Sequence, residues 1–129
     1  QQLRVLTAMV EALDFPIQIV PGPTVREEGG LAMSSRNRYL TPAERHRALA
    51  ISAALGLAEA EVKKGNKDAS RLLESMRGLL LEQQMAVDYV AAIDPRTLVP
   101  RTVIDAPTTF AIAARVGTTR LIDNLLVAP

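Results

Sequence analysis

The sequence changes period once between Thr41 and Val127, and that change sets what the chain can build. Ala48, Ile51, Leu55, Ala58 and Val62 recur at steps of 3, 4, 3 and 4, a spacing that lays one apolar stripe along a helix. Thr41 precedes Pro42 and stands three residues before Glu44, the arrangement of an N-cap, a first-turn proline and a capping box. "KKGN" closes the run with cations and a glycine stop. A second helical run, from about Asp68 to Gln83, offers Leu72, Leu73, Met76, Leu79 and Leu80 for burial. After it the period falls to two. "MAVDYVAAID" places Val87, Tyr89, Ala91 and Ile93 on one face of a strand, and "TFAIAARV" and "RLIDNLLV" meet at "GTT", where Gly117 suits a tight hairpin turn. Pro95, Pro100 and Pro107 punctuate the link between strands. The pattern predicts an α+β fold in which a small three-stranded antiparallel sheet carries a helical hairpin on one face.

At 129 residues the chain has room for one domain with a real core. Hydrophobic residues make up 48% but aromatic ones only 3%, so aliphatic side chains must fill that core. Phe15, Tyr39, Tyr89 and Phe110 are the large rings. A net charge of +1 argues against a nucleic-acid module, which needs a basic stripe to displace counterions. With no cysteine and a single histidine, disulfides, thiolate metal sites and histidine-pair zinc sites are excluded. His46, between Arg45 and Arg47 near the start of a capped helix, reads as part of a solvated face. No apolar run reaches membrane-spanning length, and a cytoplasmic location is expected.

The start has a different rhythm. "QQLRVLTAMVEALDF" reads as a helix from its first residue, with Leu3, Met9 and Leu13 among the apolar positions and no capping residue before it. "PIQIVPGP" reads as a buried strand closed by a breaker. Helix then strand is the pattern of an α/β unit. Residues 1–23 are therefore expected to be the tail of a larger domain with more chain upstream, and 24–129 a second unit.

The loop between them, "REEGGLAMSSRNRYL", concentrates features that suit an anion. Gly29 and Gly30 would let backbone amides approach a ligand, Ser34 and Ser35 supply hydroxyls, and Arg36 supplies a fork matched to phosphate oxygens. The same residue types also compose an ordinary polar loop, with Arg26, Glu27 and Glu28 solvated. Residue types alone leave both readings open. Asp88, Asp94, Asp105 and Asp123 lack metal-ligand spacing, and within strand patterns Asp88 and Asp123 are expected at outward or edge positions.

As a string, "PTVREEGGLAMSSRNRYLTPAER" resembles the signature of the pantothenate synthetase (pantoate–β-alanine ligase) family, whose loop typically reads R-E-x-D-G-L-A-M/L-S-S-R-N-x-Y-L. The similarity extends through "AVDYV" and "ARVGTTRLIDN". The resemblance implies a cytosolic ligase that activates pantoate with ATP and Mg²⁺ to pantoyl adenylate, then joins it to β-alanine. It also implies a Rossmann-like N-terminal domain related to class I aminoacyl-tRNA synthetases, a C-terminal domain acting as a lid over ATP, and a homodimer. Carried over by position, Val25, Met33, Ser34, Ser35 and Arg36 fall on the ATP-binding stretch and Gln2 on a glutamine that binds pantoate. Gly29 departs from the usual Asp. The family's H-x-G-H motif would lie upstream, so no catalytic residue is expected in this chain, and alone it is expected to be inactive. The rival expectation is a non-catalytic structural or regulatory module of the same fold that pairs with another chain.

Overall fold

The computed structural model describes residues 1–129. Its elements are α1 (Gln2–Ala12), a 3₁₀ turn (Ser35–Tyr39), α2 (Pro42–Lys63), α3 (Ala69–Glu82), β1 (Ala86–Ile93), β2 (Thr108–Val116) and β3 (Thr119–Val127). The strands form one antiparallel sheet in the order β1-β2-β3, as the change of period required.

α2 starts where its capping signals place it. The Glu44 amide donates to Thr41 Oγ1 at 3.2 Å, and Glu44 Oε2 accepts from the Thr41 amide at 2.9 Å, completing the capping box. The whole expected stripe of α2 is buried, joined by Ala54. α3 is capped by Asp68, which accepts from the Arg71 amide at 3.1 Å. It buries Leu72, Met76 and Leu80 fully, while Leu73 and Leu79 pack at the margin. Both helices cover the sheet face that presents Phe110, Ile112, Ala114, Val116, Leu121 and Val127, and these residues form a single core with them.

β1 corrects its expected face. The register against β2 shifts between Val87 and Tyr89, the signature of a bulge, in which one extra residue leaves the pleat out of step. Val87 packs toward the core, but beyond the bulge Val90 and Ala92 are the buried residues and Tyr89 is exposed. Strict alternation from Val87 therefore gives the wrong face for the second half of the strand.

The proline-rich link is held down by polar contacts. Asp94 Oδ1 accepts from the Arg96 and Thr97 amides at 2.8 Å each, and Asp94 Oδ2 takes a 2.5 Å contact from Arg101. Leu98, at φ 62, completes that turn in the left-handed region. The segment then returns to the helical layer, where Ile104 is buried and its amide donates to the Lys67 carbonyl at 2.9 Å.

The first twenty residues differ from expectation in one respect. α1 forms, but only Val10 is buried, while Leu3, Val5, Leu6, Met9 and Leu13 are exposed. Ile17–Val20, expected as a buried strand, is extended and mostly exposed, and it belongs to no sheet. A β-branched run becomes a strand only beside a partner edge, and no strand of this chain lies next to it. Arg4 ties α1 to the link through a 2.5 Å hydrogen bond from Nε to the Arg96 carbonyl.

Gly117 sits in the β2–β3 turn at φ 56, and a Cβ added there would land on Glu44 Oε1 of the capping box. Gly117→Ala is expected to destabilise the fold by about 1–2 kcal/mol, from left-handed backbone strain and a disturbed cap. An unchanged midpoint of urea unfolding would disprove this coupling of turn to helix cap.

Acid should loosen the same contacts. Asp94 is held well below its usual 3.8, first by the Thr97 and Arg96 amides, and Asp88 lies below 3.8 chiefly through the Arg120 guanidinium. Glu44 lies below its usual 4.5 through the Thr41 amide, and Glu61 does so through Lys64. A carboxylate with a lowered folded-state pKa contributes stability that is complete above its unfolded pKa and is lost as protons bind below it. Stability is therefore expected to be flat above about pH 5 and to fall progressively on acidification below it. Urea midpoints across that range check the sign, and a rise in stability on acidification would contradict it.

Candidate functional site

The loop before α2 is folded. Met33 donates its amide to the Val25 carbonyl at 2.9 Å and Glu27 donates to the Leu31 carbonyl at 2.8 Å, which makes Val25–Met33 a miniature hairpin bridged at Arg26 and Ala32. Gly29 and Gly30, at φ 92 and 96, form its tip. Both serve the turn. The Gly30 amide is occupied by the Glu27 carbonyl at 3.0 Å, and a Cβ at Gly29 would sit 3.3 Å from Leu49 Cδ2 of α2. A side chain at position 29 thus starts toward α2.

Two polar anchors fix the hairpin. In the first, Arg26 grips Asp123 of β3 with both terminal nitrogens, at 2.6 and 3.2 Å, and also donates to the Gly30 carbonyl at 2.9 Å. Its pKa is raised by the hydrogen bond to Asp123, against an opposing desolvation. Asp123 is on an edge strand, as one expectation had it, but it is buried, which overturns the outward reading; it lies on the inward side of β3 with Leu121 and Val127. In the second anchor, Asn37 is buried in the 3₁₀ turn and donates from Nδ2 to Glu27 Oε1 at 2.7 Å and to the Ala32 carbonyl at 3.0 Å. Arg45 of α2 pairs with the other Glu27 oxygen and donates to the Asn37 carbonyl at 2.9 Å. Arg26 and Glu27 are structural, correcting their reading as solvated loop charges. His46 is exposed, as expected of a solvated face.

The loop's three arginines therefore have three fates. Arg26 is bound to Asp123. Arg38 donates to Tyr39 Oη at 2.9 Å, with its guanidinium carbon 5.0 Å from the centre of that ring. Arg36 is exposed, and its side chain has no hydrogen-bond or ion-pair partner. It opens on a cavity of about 220 Å³ whose walls include Met33, Ser34, Asn37, Ile51, Leu121 and Asp123. That volume lies below the ~300–1,000 Å³ of pockets that enclose a ligand. Ser34 caps the 3₁₀ turn, its Oγ accepting from the Arg36 amide at 3.2 Å.

Of the residues singled out from the sequence, Met33, Ser34 and Arg36 share this cavity wall. Val25 adjoins them through its carbonyl on Met33, and Ser35 is exposed at the start of the 3₁₀ turn. Gln2 is exposed at the start of α1 and is not among the cavity's lining residues. A free guanidinium and a hydroxyl on a loop fixed at both ends can bind an anion without first ordering the backbone that carries them.

The family model for pantoate-beta-alanine ligase matches residues 1–126. The chain belongs to the pantoate–β-alanine ligase family. It is 47% identical to the pantothenate synthetase of Desulfatibacillum aliphaticivorans over 130 aligned residues, covering 100% of this chain and 46% of that one. It is 49% identical to the enzyme of Anaeromyxobacter dehalogenans, covering 96% of this chain and 43% of the relative. The crystal structure of pantothenate synthetase from Thermus thermophilus superposes with a TM-score of 0.92 at 39% identity, over 99% of this chain and 46% of that one. The chain thus spans just under half the length of these relatives. A pantoate-beta-alanine ligase from Francisella tularensis, crystallised with beta-gamma ATP and beta-alanine, shares the fold at a TM-score of 0.67 and 23% identity, over 97% of this chain and 39% of that one.

Four residues of the anchors, Glu27, Asn37, Arg45 and Asp123, were not singled out as binding residues by sequence reasoning. One signal was available for Asp123: it alternates in step with Leu121 and Val127, and a charge on the buried face of a strand demands a cation. Asn37 carried no comparable signal.

Proposed function

We propose that this chain supplies the nucleotide-covering part of an ATP-dependent pantoate–β-alanine ligase. The carrying observation is the unpartnered Arg36 guanidinium beside Ser34 on a loop braced by Asp123 and Asn37, within a chain of this family. In this reading Arg36, with the hydroxyls of Ser34 and Ser35, faces the phosphates. Met33 and the backbone of Val25 border the base, and Gln2 meets pantoate. Residues 1–23 belong to a nucleotide-binding domain, and 24–129 form the lid of a cytoplasmic homodimer.

The reaction would proceed in two displacements. A pantoate carboxylate oxygen attacks the α-phosphorus of ATP; the bond to the bridging oxygen breaks and pyrophosphate leaves. The β-alanine amine then attacks the acyl carbon, an amide forms, AMP departs, and the amine proton passes to solvent. Arg36 stabilises charge as it develops on the leaving pyrophosphate, the kind of preorganised electrostatic assistance that dominates such steps. Mg²⁺ would arrive with the nucleotide. No cluster of three acidic or histidine side chains offers to hold it, and the carboxylate in the cavity, Asp123, is already bound to Arg26.

The test is pantoate-dependent exchange of labelled pyrophosphate into ATP, by this chain alone and mixed with a separately prepared N-terminal half of a relative. Exchange in the mixture alone is the expected result. Turnover by this chain alone would refute its proposed dependence on a partner domain. Exchange by neither would favour a non-catalytic module, a reading for which the exposed apolar residues of α1 would provide the pairing surface.

A further inference from the structure

We infer that Asn37 is the positioning residue of the loop, holding Ser34 and Arg36 in the geometry that receives an anion. The inference deepens the nucleotide reading and rests on it for its ligand. Asn37 is 2% exposed, the most deeply buried residue of its loop. Its polar groups reach every piece that must stay in register. The amide nitrogen of the side chain binds Glu27 on one arm of the hairpin and the Ala32 carbonyl on the other. The backbone amide donates to the Ser34 carbonyl at 3.0 Å, and the backbone carbonyl accepts from Arg45 on α2. Arg36 has no such restraint on its own side chain, so its direction is set by the backbone that Asn37 holds. Both side-chain acceptors require donors, which fixes the amide orientation. Asn37 Oδ1 is left buried without a partner, a state that costs free energy. Neither Asp, which has no donor when ionised, nor Ser, which lacks the reach, can replace the paired donation.

Asn37 touches no reacting atom in this account; it acts through Ser34 and Arg36. Asn37→Asp would place a carboxylate against that of Glu27 and is expected to free the turn. Asn37→Asp combined with Glu27→Gln restores the one hydrogen bond between these side chains with donor and acceptor exchanged, but not the donation to the Ala32 carbonyl, and should recover part of the loss. Asn37→Ser removes both donations without adding charge and keeps the test open if the aspartate variant fails to fold. Two readouts are made: amide hydrogen exchange at Arg36 and Asn37 in this chain, and calorimetric affinity for ATP with Mg²⁺ with the N-terminal half of a relative present.

The expected result is exchange at least about tenfold faster at both amides, and ATP affinity at least about tenfold weaker, in folded Asn37→Asp or Asn37→Ser. The exchanged pair should recover both in part. A variant with a lower unfolding temperature but unchanged exchange and unchanged affinity would overturn the inference, leaving Asn37 a packing residue. If the unsubstituted chain binds no ATP even with the N-terminal half present, while the exchange pattern follows the expected order, the positioning role stands and the ATP reading falls.

Discussion

Arg26→Ala is expected to destabilise the fold by about 3–5 kcal/mol, the range for removing one partner of a buried ion pair. The Asp123 side chain is only 3% exposed and Arg26 29%, so the substitution strands a carboxylate inside the cavity wall. It also removes the donation to the Gly30 carbonyl, which helps hold the hairpin tip. The i,i+4 pair of Lys63 and Glu59 on α2 makes a fair contrast. Both of its side chains are well exposed, and breaking such a pair costs about 0–1 kcal/mol. The cost of Arg26→Ala is therefore one of desolvation, and replacing both partners should recover most of it. Arg26→Met with Asp123→Leu is expected to unfold in urea within about 1–2 kcal/mol of the unsubstituted protein. A single substitution no costlier than the double would show that Asp123 finds another partner.

Arg36→Ala should do the reverse, leaving stability untouched and damaging chemistry. Its side chain is exposed and unpartnered, so the unfolding midpoint is expected to move by less than about 0.5 kcal/mol. Pyrophosphate–ATP exchange, measured with the N-terminal half present, is expected to fall by about 10²–10³, equivalent to about 3–4 kcal/mol of transition-state stabilisation. An unchanged exchange rate would remove Arg36 from the site. Together the two arginines separate scaffold from function within a dozen residues of sequence.

How much of this was legible beforehand follows from the range of the forces involved. Helix α2, its cap and its buried stripe are set by residues within a turn or two of one another, and they stand where the pattern of Thr41–Val62 puts them. The sheet order and the turn at Gly117 are likewise local in origin. The face of β1 was misread because a bulge at Asp88 depends on the neighbouring strand, which alternation cannot register. Ile17–Val20 failed as a strand for a related reason: propensity supplies a candidate, but only an adjacent edge supplies hydrogen bonds. At the site, the resemblance pointed to Val25, Met33, Ser34, Ser35, Arg36 and Gln2, and the structure sets Met33, Ser34 and Arg36 of these on one cavity wall. The bracing by Asp123 was harder to see because it joins residues 97 positions apart. Asn37 drew no notice because a polar residue in a polar loop looks like filler until its burial is known.

The division of labour among the loop's arginines also fixes how dissolved ions act on the molecule. At about 0.15 M ionic strength the screening length is about 8 Å. Mobile counterions crowd around the solvent-facing guanidinium of Arg36 and compete for any anion it holds. They cannot enter between Arg26 and Asp123, whose carboxylate is enclosed by protein. Raising potassium chloride should therefore weaken ligand capture while leaving the loop's shape intact. The protein would meet its ligand less often in strong brine, yet with an equally formed site.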